Sequence, residues 1–142
     1  MQAEIYHLSE QLGSALLQQG TTVTTAESCT GGGVAHAITA VAGSSSWFNC
    51  GFVTYANSAK QRMLGVPSDI IERDGAVSEA VVRQMAIGAA EEAGADYAVA
   101  ISGVAGPGGG SADKPVGTVW FAWRSPKGVK AEKYLFSGDR AA

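Results

Sequence analysis

The sequence has few of the residues that build disulfide frameworks, metal sites and nucleic-acid surfaces. Two cysteines (Cys29, Cys50) and two histidines (His7, His36) occur in 142 residues, and none has a CxxC or Cys/His metal spacing. We therefore expect reduced thiols, no metal and no cofactor. Lysine and arginine form no cluster, and the formal net charge is -3. This argues against a nucleic-acid partner, because displacing phosphate counterions needs concentrated positive charge, and favours a small-molecule partner.

Long hydrophobic runs are also absent. No apolar stretch approaches the roughly 20 residues that span a bilayer, and the first 20 residues have an amphipathic helix pattern without the apolar centre of a signal peptide. We therefore expect a cytoplasmic protein with no membrane partner. A chain of 142 residues has the size of one domain with one substantial core. We predict a single domain over residues 1–142.

Helix and strand patterns alternate along most of the chain and end in two strands. Apolar residues from Ile5 to Leu16 repeat at helical spacing, and Gly20 ends this opening helix. The further predicted elements are, in order, a strand at 21–26, a helix in 34–43, a strand at 51–55, a helix at 58–64 capped by Asn57, a helical turn in 67–74, a helix capped by Ser78 that runs to Gly94, and strands at 96–102, 117–123 and 129–136, the last two forming a hairpin. This order predicts a three-layer α/β/α sandwich with a mixed, mostly parallel sheet and a C-terminal β-hairpin.

Several reactive groups lie close together in GSSSWFNCGFVTYANSAK, residues 43–60. The apolar middle has the pattern of a strand, and if this segment bends back, Ser45 meets Tyr55 and Lys60 at one site. A neutral lysine can take the proton of a serine, provided that desolvation or a nearby cation lowers its pKa by about three units from ~10.4. We predict Ser45 as the nucleophile, Lys60 as the base and Tyr55 as a proton relay. The alternative is that the serines cap helices, the lysine is solvated and the tyrosine packs.

A first glycine-rich turn, AESCTGGG at residues 26–33, follows a predicted strand. Its glycines allow close backbone approach, and amides at the start of the next helix attract phosphate or carboxylate, with Ser28 and Thr30 as further donors. Either hydroxyl could instead only cap the helix. Cys29 is a competing nucleophile, but no histidine or lysine lies near it in sequence. Glu27 could contact a substrate or a helix end.

A second glycine-rich turn, SGVAGPGGGSADKP at residues 102–115, also follows a strand. It lacks the GxxxxGK[ST] pattern of a Walker loop and the GxGxxG pattern of dinucleotide folds. It is interpreted either as an anion-binding or lid loop or as a flexible connector. Ligands bind at the carboxyl ends of strands in α/β sheets, so we expect the two turns to flank one pocket.

Six blocks occur in order from Thr21 to Arg140: AESCTGG, GSSSWF, GFVTYANSAKQRMLGV, GAVSEAVVRQMA, ISGVAGPGGGSADKPVGTVW and FSGDR. Together they resemble the CinA carboxy-terminal domain family. The resemblance implies an enzyme that hydrolyses the carboxamide of nicotinamide mononucleotide to nicotinate mononucleotide and ammonia, in pyridine nucleotide recycling. The alternatives are a nucleotide-binding module without catalysis and an interaction domain linked to competence or DNA damage.

The resemblance also implies which residues form the site. The serine, lysine and tyrosine that family members use correspond to Ser45, Lys60 and Tyr55. Backbone amides near Ser45 or in residues 103–110 are candidates for an oxyanion hole. The candidates for substrate contacts, including those to ribose and phosphate, are Ser28, Thr30, Gly31, Gly32, Gly106 and Arg140.

Two departures from the family concern the ends of the chain. Many relatives carry an additional amino-terminal domain, whereas the opening helix starts this sequence, so we expect the stand-alone form. Relatives also continue past the GDR motif into a further helix, whereas this sequence ends at Ala142. Apolar sheet surface would then be exposed unless another subunit covers it, and we expect a homo-oligomer.

Overall fold

The computed structural model describes residues 1–138 and 140. The helices are α1 (Ala3–Gln19), α2 (Gly33–Thr39), α3 (Asn57–Leu64), α4 (Ser68–Asp74) and α5 (Glu79–Ala93), and the strands are β1 (Val23–Glu27), β2 (Phe52–Val53), β3 (Tyr97–Gly103), β4 (Thr118–Ser125) and β5 (Gly128–Leu135). The five strands form a sheet in the order β2-β1-β3-β4-β5. Residues 44–46 form a 3-10 turn between α2 and β2.

The sheet is mixed and ends in a hairpin, which confirms the predicted fold class. β1 pairs in parallel with both β2 and β3, whereas β4 pairs antiparallel with β3 and with β5. Half of these pairings are parallel, so the sheet is less parallel than predicted. The reason is the connection between β3 and β4, which contains a glycine-rich loop and no helix in the described structure. Without a helical crossover, β4 returns antiparallel to β3.

Most helix ends follow the predicted signals. Gly20 and Gly94 end α1 and α5 in the left-handed conformation, and Ser78 Oγ accepts a hydrogen bond from the Val81 N–H at the start of α5. The predicted cap at Asn57 is wrong, because Asn57 is already helical and Ala56 occupies the N-cap position. The Ala56 carbonyl accepts the first hydrogen bonds of α3. Residues 68–74 form a complete short helix rather than a single turn.

The main core lies between α5 and one face of the sheet. Small and medium side chains of α5, including Met85, Ala86 and Ala89, are fully buried against β1, β3 and β4. Gly88 is required here for close approach, since a Cβ at this position would lie 1.9 Å from the carbonyl oxygen of Leu64 in α3. The contact fixes α3 against α5 and thereby sets the position of Lys60.

A smaller core lies on the opposite face, under α1 and α2. Trp47 packs there with Leu16, Val23 and Ile38. Gly13 of α1 lies directly against the Trp47 ring, and a Cβ at Gly13 would be 2.4 Å from Trp47 Cζ2. Helices therefore cover both faces of the sheet at β1, as predicted. Within the described residues, no helix is long and apolar enough to cross a membrane.

Candidate active site

Lys60 contacts Ser28 where β1 ends. Lys60 lies in the first turn of α3, and its Nζ atom is 3.1 Å from Ser28 Oγ, 2.9 Å from the Thr54 carbonyl oxygen and 3.0 Å from the Tyr55 carbonyl oxygen. Ser28 directly follows β1, and Thr54 directly follows β2. The carboxyl ends of β1 and β2 and the first turn of α3 therefore bring together a serine and a lysine that are 32 positions apart in the sequence.

The Lys60 amine is buried and has no ion-pair partner among the described residues. Its residue exposure is 1%, and burial lowers the pKa of Lys60 below its ordinary value, while the charge of neighbouring Cys29 acts in the opposite direction. A buried lysine favours its neutral form because the ammonium loses its hydration. The surroundings therefore favour a lysine that can accept a proton.

The hydrogen bonds of Lys60 suit both of its protonation states. Two of its three partners are carbonyl oxygens, which only accept. A neutral amine donates its two hydrogens to these carbonyls and directs its lone pair at the Ser28 hydroxyl, whereas an ammonium donates all three hydrogens. Lys60 can therefore take a proton from Ser28 and return it without losing a partner.

The structure places Ser45 at the opposite end of β1. Ser45 is exposed in the 3-10 turn, and the Val23 N–H donates to the Trp47 carbonyl oxygen at 2.9 Å, which fixes this turn beside the first residue of β1. The five residue-to-residue steps of extended chain from Val23 to Ser28 span about 16 Å. The expected meeting of Ser45 with Lys60 is therefore not formed. The segment after Ser45 runs alongside β1 in parallel instead of bending back, so it carries Tyr55 and Lys60 away from Ser45.

Tyr55 and Arg140 form a bridge near the serine–lysine pair. Arg140 Nη2 donates to the Tyr55 hydroxyl at 2.9 Å, and Arg140 Nη1 donates to the Gly106 carbonyl oxygen. This links the β2–α3 connection to the second glycine-rich turn. Residues of both glycine-rich turns line one pocket, as expected. The Tyr55 side chain is 59% exposed, and its hydroxyl is not among the partners of Lys60.

The Thr30 hydroxyl and two N–H groups in the first turn of α2, which follows the first glycine-rich turn, donate to a side chain of the protein itself. Glu27 is fully buried, and its carboxylate accepts from Thr30 Oγ1 at 2.6 Å and from the Val34 and Ala35 N–H groups at 2.9 and 3.0 Å. Glu27 therefore pairs with the start of α2, one of the two roles that the sequence left open. The predicted capture of a substrate anion by these amides is not available, because a carboxylate of the protein already occupies them.

The positions of Gly31 and Gly32 give the turn its shape. Both have positive φ angles, 58° and 102°, and the Gly31 N–H donates to the Ser28 carbonyl oxygen at 3.1 Å. By contrast, the N–H groups of Cys29 and Thr30 donate to no backbone carbonyl among the described residues. They directly follow Ser28 and are available to a bound molecule.

Cys29 lies beside the pair but is poorly suited to be a nucleophile. Burial raises the pKa of its thiol, and the charge of Glu27 adds to this effect. A hydrogen bond from the Cys29 backbone N–H and the nearby cations Lys60 and Arg140 act in the opposite direction but do not reverse the shift. A thiol must ionise to react as a nucleophile. At neutral pH, the arrangement therefore favours chemistry at Ser28 over chemistry at Cys29.

A groove of about 1060 Å³ begins next to this site and runs between α1, α2 and strands β3 and β4. At the end near Ser28 it is lined by Cys29, Thr30, Val104, Ala105 and Arg140. Further along, its walls are mostly apolar, with side chains such as Leu12, Ile38 and Phe121. Across the described part of the chain, no three His, Cys, Asp or Glu side chains converge as metal ligands.

The sequence identified Lys60 but not its partner. Ser28 had a signal, since it is a hydroxyl residue at the carboxyl end of a strand and begins a glycine turn. Thr54 and Ser102 occupy the corresponding positions at the ends of the neighbouring strands, and both are fully buried. The common position of these three hydroxyls becomes evident only from the strand order.

The chain matches relatives with this fold over almost its entire length. The family model of the CinA C-terminal domain matches residues 5–142. The nicotinamide-nucleotide amidohydrolase PncC of Escherichia coli K12 is 60% identical over 141 residues, which cover 99% of this chain and 86% of that protein. A protein of the same name from Pseudomonas putida is 56% identical over 135 residues, covering 95% of this chain and 84% of the relative.

Solved structures agree with these matches. The competence/damage inducible protein CihA from Agrobacterium tumefaciens superimposes with a TM-score of 0.97 at 43% identity and covers 99% of this chain and 87% of its own. The competence damage-inducible protein A (ComA) from Klebsiella pneumoniae has a TM-score of 0.93 at 41% identity, covering 96% of this chain and 85% of its own. This chain belongs to the CinA C-terminal domain family.

Proposed function

We propose that this protein is an amidohydrolase that converts nicotinamide mononucleotide to nicotinate mononucleotide and ammonia, and that Ser28 rather than Ser45 is its nucleophile. The observation that carries the proposal is the 3.1 Å contact between Lys60 Nζ and Ser28 Oγ in a buried site. The substrate class follows from the relatives named nicotinamide-nucleotide amidohydrolase, which are 56–60% identical to this chain.

In the first half-reaction, Ser28 Oγ attacks the carboxamide carbon while its proton passes to neutral Lys60. A new C–O bond forms, and the carbonyl oxygen becomes an oxyanion. When the tetrahedral intermediate collapses, the C–N bond breaks, and Lys60 donates its proton to the nitrogen, which leaves as ammonia. The product of this step is an ester between the nicotinoyl group and Ser28.

In the second half-reaction, water attacks the ester carbon and gives a proton to Lys60. The bond to Ser28 Oγ then breaks, and Lys60 returns the proton to Ser28. The nicotinate product leaves as a carboxylate. Since Lys60 retains hydrogen-bond partners in both states, the same buried amine serves as base and acid in each half-reaction.

The developing oxyanion needs donors near Ser28. The N–H groups of Cys29 and Thr30 lie in the adjacent turn and donate to no backbone carbonyl among the described residues, and we propose them as the oxyanion hole. In other enzymes one such donor contributes about 3–4 kcal/mol. This proposal replaces the expectation of amides near Ser45, which lie at the other end of β1.

Arg140 is the proposed contact for the substrate phosphate. It lies at the end of the groove near Ser28, and its guanidinium can hold a phosphate in a two-pronged arrangement. Gly106 then positions Arg140 through its carbonyl oxygen, while Gly31 and Gly32 shape the turn. We further propose a cytoplasmic homo-oligomer without nucleic-acid or membrane partners, in keeping with the net charge of -3 and the lack of a basic cluster.

The test is release of ammonia and nicotinate mononucleotide from nicotinamide mononucleotide by the purified 142-residue protein. Nicotinamide riboside, which lacks the phosphate, serves as the substrate control, and Ser28→Ala as the protein control. We expect turnover of the nucleotide by the wild type, weak turnover of the riboside, and none by Ser28→Ala. Folded wild-type protein that releases no ammonia would overturn the proposed function.

A further inference from the structure

Three hydroxyl side chains lie in a row across the carboxyl ends of β2, β1 and β3. Glu27 of β1 is aligned with Val53 of β2 and with Ile101 of β3, so the next residues, Thr54, Ser28 and Ser102, are also neighbours. The Thr54 N–H donates to the backbone carbonyl oxygen of Glu27, and the Ser28 N–H donates to the carbonyl oxygen of Ile101. The backbone pairing of the strands therefore continues to this row.

The three side chains face the same side of the sheet. Residues two positions earlier on the three strands, Phe52, Ala26 and Ala100, pack in the core beneath α5. Because alternate residues of a strand share a face, Thr54, Ser28 and Ser102 also point to this side. Neighbouring strands are about 4.8 Å apart, so one small molecule at Ser28 can contact both flanking residues.

Ser102 differs from Ser28 in having no polar partner. Its exposure is 1%, and its Oγ atom makes no hydrogen bond within the described residues, whereas Ser28 Oγ contacts Lys60. On its other side, Ser102 pairs with Trp120 of β4, whose ring offers no acceptor. Burial of a hydroxyl without a partner costs free energy, so such a group indicates a missing ligand atom.

Thr54 also has an unpartnered, fully buried hydroxyl, but it lies on the side of Ser28 occupied by Lys60. Its own carbonyl oxygen accepts from Lys60. Ser102 lies on the other side of Ser28 and leads directly into the second glycine-rich turn, where Arg140 is held by Gly106. Ser102 is therefore the hydroxyl beside Ser28 that lies away from Lys60.

We propose that Ser102 is a substrate-contacting residue of the proposed deamidation, and that its hydroxyl binds the nitrogen of the scissile carboxamide held at Ser28. This rests on the proposed function. In the planar amide, the nitrogen donates a hydrogen to Ser102 Oγ. When Lys60 protonates this nitrogen in the tetrahedral intermediate, the nitrogen becomes positively charged and donates a stronger hydrogen bond to Ser102 Oγ.

This contact improves as the reaction proceeds. The protonated leaving nitrogen is a stronger hydrogen-bond donor than the neutral amide nitrogen, so the hydroxyl oxygen of Ser102 interacts more strongly with the transition state than with the bound substrate. Interactions of that kind raise kcat rather than lower KM. Ser102 therefore holds the leaving nitrogen in place while Lys60 delivers the proton and the C–N bond breaks.

The test compares Ser102→Ala with Ser102→Thr, which keeps the hydroxyl, and with Thr25→Val as a matched control. Thr25 also has a buried hydroxyl without a partner among the described residues, but it lies one position before Ala26 and so faces the other side of the sheet. Ammonia release from nicotinamide mononucleotide and the thermal midpoint are measured for each protein.

We expect Ser102→Ala to lower kcat about 10- to 100-fold with little change in KM and no fall in thermal midpoint, because the lost hydroxyl has no partner in the free protein. Ser102→Thr should recover most of the rate, and Thr25→Val should retain it. If the wild-type protein is active and Ser102→Ala is equally active, this inference is overturned but the proposed function is not. So would a rise in KM with kcat unchanged, or a rate loss explained by a lower thermal midpoint. Inactive wild-type protein would overturn the proposed function and this inference together.

Discussion

The two ends of β1 carry serines in opposite surroundings. At the amino end, Ser45 is exposed above an apolar cluster built on Trp47. At the carboxyl end, Ser28 is buried beside Lys60 and two hydroxyls that have no partner in the described structure. The amino end is built on apolar packing around Trp47, where only the Trp47 Nε1 atom is buried without a partner among the described residues, whereas the carboxyl end buries a lysine and several hydroxyls side by side. The difference is the reason for proposing Ser28 rather than Ser45 as the nucleophile: Ser28 has a buried lysine partner, whereas Ser45 has only a high density of neighbouring hydroxyls.

Replacing the two serines in turn gives the largest contrast. Ser28→Ala should lower kcat on the order of 10⁴-fold or more, because the acyl group has no oxygen to which it can bond. Ser45→Ala should stay within about twofold of wild type, since exposed substitutions rarely disturb a distant site. The measurement is ammonia release under saturating nicotinamide mononucleotide. If Ser45→Ala lost activity while Ser28→Ala kept it, the nucleophile would lie at the amino end.

Replacing Lys60 should give the second-largest loss of rate, and the role of Lys60 also predicts how the wild-type rate depends on pH. Because burial lowers the pKa of Lys60 and only the neutral amine accepts a proton, kcat/KM should rise with pH through a pKa below the ordinary lysine value. The rate should be lost as the pH falls through that pKa. Lys60→Arg should lower the rate about 10²- to 10⁴-fold, since a guanidinium stays protonated.

Lys127→Arg is the matched control for the Lys60 variant, because Lys127 is exposed on the β4–β5 hairpin. It should leave both the rate and the pH profile unchanged. A wild-type profile that falls as pH rises across the same range would contradict the role of Lys60 as a base.

At the amino end of β1, the expected effect is on stability. Alanine normally stabilises a helix by about 0.5–1 kcal/mol relative to glycine. At Gly13, however, the added Cβ would overlap the Trp47 ring, and overpacking costs about 1–3 kcal/mol. Gly13→Ala should therefore lower the free energy of unfolding while kcat stays near the wild-type value. Denaturant unfolding checks this, with Ser14→Ala on the exposed face of α1 as the control, and a more stable Gly13→Ala protein would refute the close contact.

Local signals in the sequence were sufficient for most of the fold. Gly20, Ser78 and Gly94 mark helix ends through their own backbone and side-chain preferences, and the structure has them in these roles. Cap preference failed at Asn57, because α3 begins at Asn57 itself and the N-cap position falls one residue earlier, on Ala56. The extent of parallel pairing was also overpredicted, because it depends on whether the β3–β4 connection contains a helix.

The site was harder to predict than the fold, because it is made by pairing between distant strands. Lys60 and Tyr55 were placed near the site because both follow β2. Ser28 and Ser45 are both serines near glycines. Ser45 is 15 positions from Lys60 in the sequence and Ser28 is 32 positions from it, so sequence distance favoured Ser45. Parallel alignment of β2 with β1 reverses that order in space, since it brings the carboxyl ends of the two strands together. Glu27 likewise acquires its role from folding, through its bonds to α2.

Tyr55 gives the smallest effect and separates two roles for its side chain. A proton relay would make Tyr55→Phe lose about 10²-fold or more in rate. In the structure its hydroxyl instead accepts from Arg140, and both side chains are exposed, so losing this bond should cost about 1 kcal/mol, or roughly fivefold in kcat/KM. The Tyr55 carbonyl, which accepts from Lys60, is unchanged by the substitution. Kinetics of Tyr55→Phe beside Tyr134→Phe, an exposed tyrosine of β5, measure the difference. A loss near 10²-fold would return Tyr55 to the proton path, whereas a fivefold loss that appears mainly in KM would assign it to positioning Arg140 for the substrate phosphate.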